Sequence, residues 1–534
     1  MLIMKKITFL LCALLAFGSV HAQEDEFNVR VISDHIYAEH LYRDKLLKDP
    51  YRPLYHYVIP EGMAHPFDPN GAFFWKGRYH LFYIIQTVRP KPFYRGDAWA
   101  HISSYDLIHW KLHPTALKPT DDTPERAIYS GNMFLNKKGI PTIMYQGLGA
   151  GNSIAISAGD DWLEYWDRHP DNPVIPYAEY SFDNDGAEYR TILDKMPDYG
   201  QYDIWDPHCW LDGDTYYTIT GNNELWPGKD ALFKSKNLKD WELVGDFFHH
   251  DPIEGTLDCP DFFRLGEKFV LLYLRNGLEY VIGDFKAEQF YPEKRGTMTW
   301  NIGAGYAPES LVDNKGRRIM WAALNDSRTG WGDIDNFITK HAWAGALTLP
   351  RVLSLDENNN LKIKPIDELK VLRYDPIKIE NLNVNEEIVL EKIRGNSMEL
   401  KLSINPRKAE SLGIKVCASA DGQEETVLTY YPLENKFTLD LTKSSLNNEY
   451  MEGYLWGKDK IQKARLSLLG KETLDLRIFI DRSVIEVFVN EKLALVQRIY
   501  PVMKESDQVI LFSNGGNIHV PKLESWKLHP SNPY

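Results

Sequence analysis

Short runs of apolar and β-branched residues, each followed by a tight polar turn, dominate the chain from about residue 52 to residue 350. In the clearest case, residues 72–75 and 79–83 flank a three-residue turn that contains Gly77. Similar runs flank the turns at 212–214 and 266–268. Strand-forming residues on both sides of a short turn predict β-hairpins. Long amphipathic helical patterns are missing, so the sequence predicts an all-β fold.

A looser repeat suggests how these hairpins are arranged. Leu107 and Trp110 share a Leu-x-x-Trp spacing with Leu238 and Trp241, and each pair follows a hairpin region. Repeated antiparallel units of this kind are typical of a β-propeller, in which each blade is one small sheet. A pair of β-sandwiches would produce the same local pattern, so this alternative stays open.

The pattern changes after residue 350. Residues 351–385 are rich in Asn, Asp, Glu and Pro and are predicted to be a linker. Residues 386–534 are predicted to form a β-sandwich, because their apolar residues alternate with a period of two. This alternation is clearest at Leu474, Leu476, Ile478 and Ile480, and on the next segment at Ile485, Val487 and Val489.

Composition and charge narrow the function classes. Hydrophobic residues make up 43% and charged residues 25% of the chain, as in ordinary globular proteins. The net charge of −14 argues against a nucleic-acid-binding protein, which normally carries a basic surface. Aromatic residues reach 13% and suit either flat-faced ligands such as sugars or large β-sheet cores.

The first 22 residues have the features of a secretory signal peptide. Lys5 and Lys6 precede an apolar run over about 7–17, and small residues precede Gln23. A membrane anchor is the alternative, but that run is shorter than the roughly 20 residues needed to cross a bilayer. We therefore expect export to the periplasm or the extracellular space, no membrane span, and a propeller domain over 23–350.

The cysteines give no sign of a metal centre. Beyond residue 22 the chain has Cys209, Cys259 and Cys417, which allow at most one disulfide and match no metal-binding spacing. No metal and no organic cofactor are expected. The expected partner is a carbohydrate substrate, an oligosaccharide or polysaccharide, and the oligomeric state stays open.

Three acidic residues are candidates for catalysis. Asp68, Asp206 and Asp258 each lie at the entry to a hairpin region. In a propeller, such equivalent positions converge on the central channel, where neighbouring carboxylates raise one another's pKa and supply both an acid and a base. Asp-Pro is also common turn chemistry, and for any one of these residues that explanation is favoured. Three matching positions reverse this preference.

The motifs around these residues resemble glycoside hydrolase family 32, the family of invertases, levanases and inulinases. The resemblance covers nearly the whole chain beyond the signal peptide and comes in the family's order. It rests on Asp-Pro-Asn-Gly at 68–71, Tyr-His-Leu-Phe-Tyr at 79–83, Trp-Ala-His at 99–101, Tyr-Ser-Gly at 129–131, Leu-Pro-Arg at 349–351, Ile-Asp-Arg-Ser at 480–483, Glu-Val-Phe at 486–488 and Arg-Ile-Tyr-Pro at 498–501.

The resemblance implies a five-bladed β-propeller followed by a β-sandwich, and retaining hydrolysis of β-fructofuranosides. It assigns Asp68 as the nucleophile, Asp206 as the transition-state stabiliser and Asp258 as the acid/base. The residues expected to contact the sugar are Phe67, Asn70, Gln86, Trp99, Ser130, Trp205, His208 and Tyr306.

Four departures from the family pattern predict a reshaped pocket. Phe67 stands where the family has Asn, Trp205 where it has Arg, Ile84 where it has Gln, and Asp258 where it has Glu. Glu254 is a possible substitute acid. A shorter acid needs backbone or substrate to move about 1 Å closer, and such misplacements cost up to about 10²-fold in rate. Altered specificity is therefore expected, with an arabinose-directed furanosidase or a non-catalytic carbohydrate-binding relative as alternatives.

Overall fold

The structure, a computed structural model, falls into two compact units, residues 1–50 and 51–534. In the first unit, residues 43–48 are helical. The predicted signal peptide lies outside the described residues, within which no helix is long and apolar enough to span a bilayer. The described residues are 37, 40–41, 43–59, 64–87, 97–120, 122–177, 202–221, 230–253, 256–275, 277–298, 305–326, 343–406, 408–448, 450 and 460–532.

Within the described residues, the second unit begins with five antiparallel sheets that follow one another along the chain. Sheet 1 consists of β1 (Ala64–Trp75), β2 (Arg78–Thr87), β3 (Ala98–Ser104) and β4 (Lys111–Leu112). Sheet 2 consists of β5 (Ile128–Leu135), β6 (Pro141–Gly147), β7 (Gly151–Ser157), β8 (Trp166–Arg168) and β9 (Ile175–Pro176). Sheet 3 consists of β10 (Pro207–Asp212), β11 (Thr215–Thr220), β12 (Ala231–Ser235) and β13 (Trp241–Asp246).

The last two of these sheets complete a ring. Sheet 4 consists of β14 (Asp258–Leu265), β15 (Lys268–Leu274), β16 (Leu278–Lys286) and β17 (Gln289–Thr297). Sheet 5 consists of β18 (Gly305–Val312), β19 (Arg318–Leu324), β20 (Ala346–Leu347), β21 (Arg351–Leu355) and β22 (Leu361–Pro365). The first strand of each sheet contacts the first strand of the next, and β18 contacts β1. The sheets are therefore the blades of the predicted propeller, with their first strands around its channel.

The rest of the second unit is the predicted β-sandwich, built from two six-stranded sheets. One sheet has the order β23-β34-β25-β30-β31-β32 and the other β24-β33-β26-β27-β28-β29. Short 3₁₀ helices lie at Asp367–Leu372 and Pro432–Glu434. The strands are β23 (Arg373–Val384), β24 (Glu387–Arg394), β25 (Ser397–Asn405), β26 (Ser411–Ala418), β27 (Glu425–Tyr431), β28 (Lys436–Lys443), β29 (Ile461–Arg465), β30 (Leu474–Asp481), β31 (Val484–Val489), β32 (Leu493–Arg498), β33 (Gln508–Asn514) and β34 (Ile518–Leu528).

Residues 351–385, predicted to be a linker, form regular secondary structure instead. This stretch contains β21 and β22 of the last blade, a 3₁₀ helix, and β23 of the sandwich. Its polar segment at 356–360 is the turn between β21 and β22, where Asp356 Oδ1 accepts the backbone N–H of Asn360 at 2.8 Å. Asn359 adopts a positive φ of 56° there, which Asn tolerates well. Turn chemistry therefore produced the linker-like composition.

The Leu-x-x-Trp repeat corresponds to one turn used twice. Ser104 Oγ accepts the N–H of Leu107 at 2.8 Å, and Ser235 Oγ accepts the N–H of Leu238 at 3.0 Å. Both leucines are buried and have positive φ, 66° and 68°. The turn connects the third and fourth strands of sheets 1 and 3, which agrees with a repeated blade.

Two buried carboxylates of the sandwich hold the propeller against it. Asp481 accepts the N–H groups of Leu54, Tyr55 and His56 at 2.7–2.9 Å. Glu486 accepts Arg351 Nη2 at 2.7 Å and the N–H of Leu349 at 2.8 Å. His56 bridges the two, with Nδ1 2.9 Å from Asp481 and Nε2 3.2 Å from Glu486.

The two ends of the second unit also meet. The backbone N–H groups of Ser531 and Asn532 both donate to the carbonyl oxygen of Leu54, at 3.0 and 3.1 Å. The Asn532 side chain donates to the carbonyl oxygens of Pro53 and His56. The last described residues are thus fixed to the segment that precedes the first blade.

Candidate active site

Bulges near the start of the inner strands shape one end of the channel. The register of β1 shifts between Pro66 and Pro69, and that of β14 shifts between Asp258 and Asp261. Inner strands β5 and β18 have similar shifts. A bulge turns a side chain away from its place in a regular ladder and is common beside active sites. Here the bulges direct side chains of different blades into the channel.

Asp68 lies in the bulge of β1 and is buried. Its Oδ2 accepts a hydrogen bond from Ser130 Oγ at 2.8 Å, and Cys259 Sγ lies 3.4 Å from the same oxygen. Asn70 Nδ2 donates to the Asp68 carbonyl oxygen at 2.6 Å. Burial, followed by the charge of Asp206, raises the pKa of Asp68 to about 7. The carboxyl is held by two hydrogen-bond donors and titrates near neutral pH.

Asp206 lies immediately before β10 and is also buried. Its Oδ2 accepts the backbone N–H of Cys259 at 3.0 Å, and the Cys259 sulfur lies 3.5 Å away. Burial raises the pKa of Asp206 to about 6, although the N–H of Cys259 acts in the opposite direction. Asp68 and Asp206 therefore share one neighbouring residue.

Cys259 lies between the candidate carboxylates. Its thiol has one hydrogen and lies within 3.5 Å of Asp68 Oδ2, Asp206 Oδ2 and Ser130 Oγ. Burial, with the charges of Asp68, Asp206 and Asp258, raises the pKa of this thiol well above its usual value. Because only the thiolate is a good nucleophile, Cys259 serves here as a hydrogen-bond donor.

Asp258 is the first residue of β14, paired with Leu274 on β15 and partly buried. Asp258 precedes Cys259 in the chain, and its charge raises the pKa of the Cys259 thiol together with the charges of Asp68 and Asp206. The structure thus joins Asp68 and Asp206 through Cys259, and Asp258 lies immediately before this residue in the chain. Glu254, the possible substitute acid, lies outside the described residues.

Two aromatic pairs flank the aspartates. Phe67 precedes Asp68, and its ring centroid lies 5.2 Å from that of Tyr306. Trp205 precedes Asp206, and its ring meets Tyr129 edge-on at 6.2 Å. Each pair joins residues of two different blades, and one residue of each pair is next in the chain to Asp68 or Asp206.

Two further predicted sugar contacts, Asn70 and Trp99, use their polar groups within the protein, and His208 is buried. The amide of Asn70 accepts the Gly131 N–H at 2.9 Å as well as bonding Asp68. Trp99 is fully buried and donates its indole N–H to the carbonyl oxygen of Tyr129. His208 is buried, with Nδ1 3.9 Å from Asp261. Gln86 belongs to β2, but its side chain is outside the described part of the chain.

Sequence reasoning assigned no role to Cys259, Asp261 or Glu309. Cys259 directly follows Asp258, so its position beside a candidate carboxylate was a usable signal. Asp261 and Glu309 are buried in the inner strands β14 and β18, and only the folded ring brings these strands together. Among the described residues, no group of three or more His, Cys, Asp or Glu side chains is arranged to hold a metal ion.

Comparison with known families assigns this architecture. Residues 65–365 match the family described as "Glycosyl hydrolases family 32 N-terminal domain", and residues 368–527 match "Glycosyl hydrolases family 32 C terminal". The chain belongs to glycosyl hydrolase family 32. The family-32 resemblance predicted from the motifs is confirmed, and the chain is a glycoside hydrolase.

Named relatives of this family-32 chain match over most of their length. A fructan 6-exohydrolase of Beta vulgaris is 26% identical, with 90% of this chain and 87% of that protein aligned. A sucrose-6-phosphate hydrolase of Zymomonas mobilis is 28% identical, with 91% of this chain and 94% of that protein aligned.

Solved family-32 structures share the fold. Fructan 1-exohydrolase IIa from Cichorium intybus superimposes with a TM-score of 0.74 at 22% identity, covering 90% of this chain and 98% of that chain. Exo-inulinase from Aspergillus awamori gives a TM-score of 0.71 at 23% identity, covering 91% and 99%. These similarities support the propeller-and-sandwich fold.

Proposed function

We propose that the protein hydrolyses β-fructofuranosides with retention of configuration, using Asp68, Asp206 and Asp258. The observation that carries the proposal is that Cys259, the residue after Asp258, contacts both Asp68 Oδ2 and Asp206 Oδ2 in a family-32 propeller. Relatives named as a fructan exohydrolase and as sucrose-6-phosphate hydrolases support a fructoside substrate. The substrate is an oligosaccharide or polysaccharide that carries a fructosyl unit.

In this mechanism, Asp68 attacks the anomeric carbon and Asp258 protonates the departing glycosidic oxygen. Water then attacks the covalent intermediate, Asp258 takes its proton, and the sugar leaves Asp68. Asp206 accepts hydrogen bonds from the sugar hydroxyls. The two donors on Asp68 Oδ2 orient the nucleophile, and its raised pKa makes the carboxylate more basic once it is ionised.

The first experiment measures sugar release from sucrose, inulin, levan and arabinan by purified protein. Asp68→Asn should lower turnover by about 10⁴-fold because the amide is not a nucleophile. Asp214→Asn is the matched control, since Asp214 is an exposed residue of a hairpin turn. Wild-type turnover by Asp68→Asn would refute the assigned nucleophile, and release from arabinan alone would replace the substrate class.

The shortened acid is tested separately. Asp258→Glu restores the longer acidic side chain found in the family motif, so we expect this variant to change kcat. Asp258→Asn removes the acid and should abolish hydrolysis of substrates with poor leaving groups. Binding of a fructan without any sugar release, by wild type and by Asp258→Glu alike, would favour the carbohydrate-binding alternative.

We also propose that the protein is exported, on the basis of its first 22 residues. Amino-terminal sequencing of the mature protein should begin at Gln23. A mature protein that retains Lys5 and Lys6 would refute this.

A further inference from the structure

Side chains of the inner strands link every pair of neighbouring blades around the channel. Each junction has at least one hydrogen bond between two blades, and each uses a carboxylate or an amide side chain. These bonds are Gly131 N to Asn70 Oδ1 at 2.9 Å, Cys209 N to Asn132 Oδ1 at 2.8 Å, Cys259 N to Asp206 Oδ2 at 3.0 Å, Ser310 Oγ to Asp261 Oδ2 at 2.5 Å, and Ala72 N to Glu309 Oε1 at 2.9 Å.

The junction between the last and first blades depends on Glu309. This residue of β18 accepts the N–H of Ala72 from β1. The register of β1 shifts a second time between Asn70 and Phe73, so Ala72 lies in a bulge where regular pairing with β2 is interrupted. A buried backbone N–H needs an acceptor, and the Glu309 carboxyl supplies it.

The bulge at this point is close-packed. Gly71 has a φ of +51°, and a Cβ there would lie 3.1 Å from the Trp99 ring and 3.3 Å from Phe82. The segment therefore has no room to relax towards its neighbours on one side. Its position on the other side is set by Glu309.

Besides the Cys259 thiol of the fourth blade, which lies 3.4 Å from Asp68 Oδ2, three inter-blade bonds fix the segment that carries Asp68. Ser130 holds its carboxyl, Asn70 connects its carbonyl oxygen to Gly131, and Glu309 holds Ala72 four residues further on. The first two bonds lead to the second blade, whereas Glu309 belongs to the fifth. The segment is therefore bonded to the second blade on one side and to Glu309 of the fifth blade on the other.

Charges of the fourth and fifth blades act on Glu309. Burial, followed by the charge of Asp261, raises the pKa of Glu309 well above its usual value. Asp261 accepts Ser310 Oγ, and Arg318 Nη1 donates to the same hydroxyl at 3.3 Å. Charged residues of the fourth and fifth blades, Asp261 and Arg318, thus act electrostatically on the residue that contacts the first blade.

We propose that Glu309 is a positioning residue for the reaction, which keeps the Asp68 carboxyl at its attacking distance through the hydrogen bond to Ala72. This inference rests on the proposed role of Asp68 as the nucleophile. Because a displacement of about 1 Å costs up to about 10²-fold in rate, loss of this bond should be visible in kcat.

The test compares Glu309→Gln with Glu309→Ala, using a fructoside that the wild type hydrolyses, at 25 °C. Glu309→Gln keeps an acceptor oxygen and should retain kcat within about threefold. Glu309→Ala removes the acceptor and should lower kcat by about 10- to 100-fold with little change in KM. If Glu309→Ala does not fold, Glu309→Asp, which retracts the acceptor by one methylene, should show the same loss.

Tyr216→Phe is the control for a purely structural effect. Lys137 N donates to Tyr216 OH at 2.7 Å, and this hydrogen bond joins sheets 2 and 3 beside the turn between β10 and β11. This variant should lower the melting temperature but leave kcat unchanged. Wild-type kcat in Glu309→Ala, or equal losses in Glu309→Ala and Glu309→Gln, would overturn the inference. A wild type without hydrolysis, or an active Asp68→Asn, would instead refute the proposed function and the inference with it.

Discussion

Two groups of buried acidic side chains differ in their electrostatic surroundings, one in the propeller channel and one between propeller and sandwich. In the channel, Asp68 and Asp206 face hydroxyl, thiol and amide donors, and burial raises the pKa of both. At the interface, burial acts to raise the pKa of Glu486, but the charge of Arg351 and the bond from His56 outweigh it. Carboxyls that are equally buried thus have pKa shifts in opposite directions, because their neighbours differ.

The difference shows what each group can contribute. A buried carboxylate with a cationic partner is stable as an ion, and removing either partner leaves an uncompensated charge. A buried carboxylate with only neutral donors is held at a cost, which is typical of functional sites. The interface therefore stabilises the assembly, whereas the channel keeps reactive carboxyls.

The largest expected effect follows from making the same substitution in both groups. Glu486→Gln leaves buried Arg351 without its counter-charge and should lower the free energy of unfolding by about 3–5 kcal/mol. Glu309→Gln replaces a channel carboxyl whose pKa burial raises even against the opposing charge of Arg318, so it should change stability little. Calorimetric melting of both variants measures the contrast, and equal destabilisation would contradict it.

The same contrast has a pH dependence of opposite sign. The raised pKa of Asp68 means that its charge costs stability above pH 4, so Asp68→Asn should melt higher than wild type at pH 8 and equally at pH 4. The lowered pKa of Glu486 means that its stabilisation exists above about pH 4.5 and is lost in more acidic solution. The defect of Glu486→Gln should therefore shrink at low pH.

An intermediate effect is expected in the pH dependence of hydrolysis. Asp68 must be ionised to attack, and Asp68 and Asp206 have pKa values of about 7 and about 6. We expect kcat/KM to fall about tenfold per pH unit below an apparent pKa between these values, which belongs to the pair. A profile that stays flat down to pH 4.5 would show that a different group attacks.

The smallest expected effect comes from the thiol between the aspartates. Cys259→Ala removes a weak donor whose single hydrogen lowers the pKa of whichever carboxylate accepts it, Asp68 or Asp206. The acidic limb of the pH profile should therefore move up by about half a pH unit, since a neutral hydrogen bond contributes about 1 kcal/mol. Cys259→Ser, which keeps a donor, should move it less. An unchanged limb in both variants would assign Cys259 to packing alone.

Local sequence signals accounted for the hairpins and for the positions of the three aspartates. The turn predicted at 212–214 lies between β10, which ends at Asp212, and β11, which begins at Thr215. Such features depend on residues that are close in sequence, where turn chemistry and strand propensity act directly. The prediction of an all-β propeller and sandwich, which rested on the same local signals, is confirmed.

Features that depend on ring closure could not be predicted. Glu309 and Ala72 are 237 residues apart in sequence, and their hydrogen bond exists only because the fifth blade lies beside the first. Asn70 and Trp99 were expected to contact the sugar, but the fold uses their polar groups to position the strand that carries Ser130. Motif position gives the neighbourhood of a residue, whereas its hydrogen-bond partners follow from the tertiary structure.

The meeting of Leu54 with Ser531 and Asn532 makes the folded unit nearly a closed loop in space. Each blade is built from consecutive strands, so its sheet does not depend on where the polypeptide starts. A circularly permuted chain, joined across this meeting point by a short flexible connection and reopened in an exposed turn such as Gly213, would preserve every sheet. The arrangement of the blades is therefore independent of where the polypeptide begins and ends.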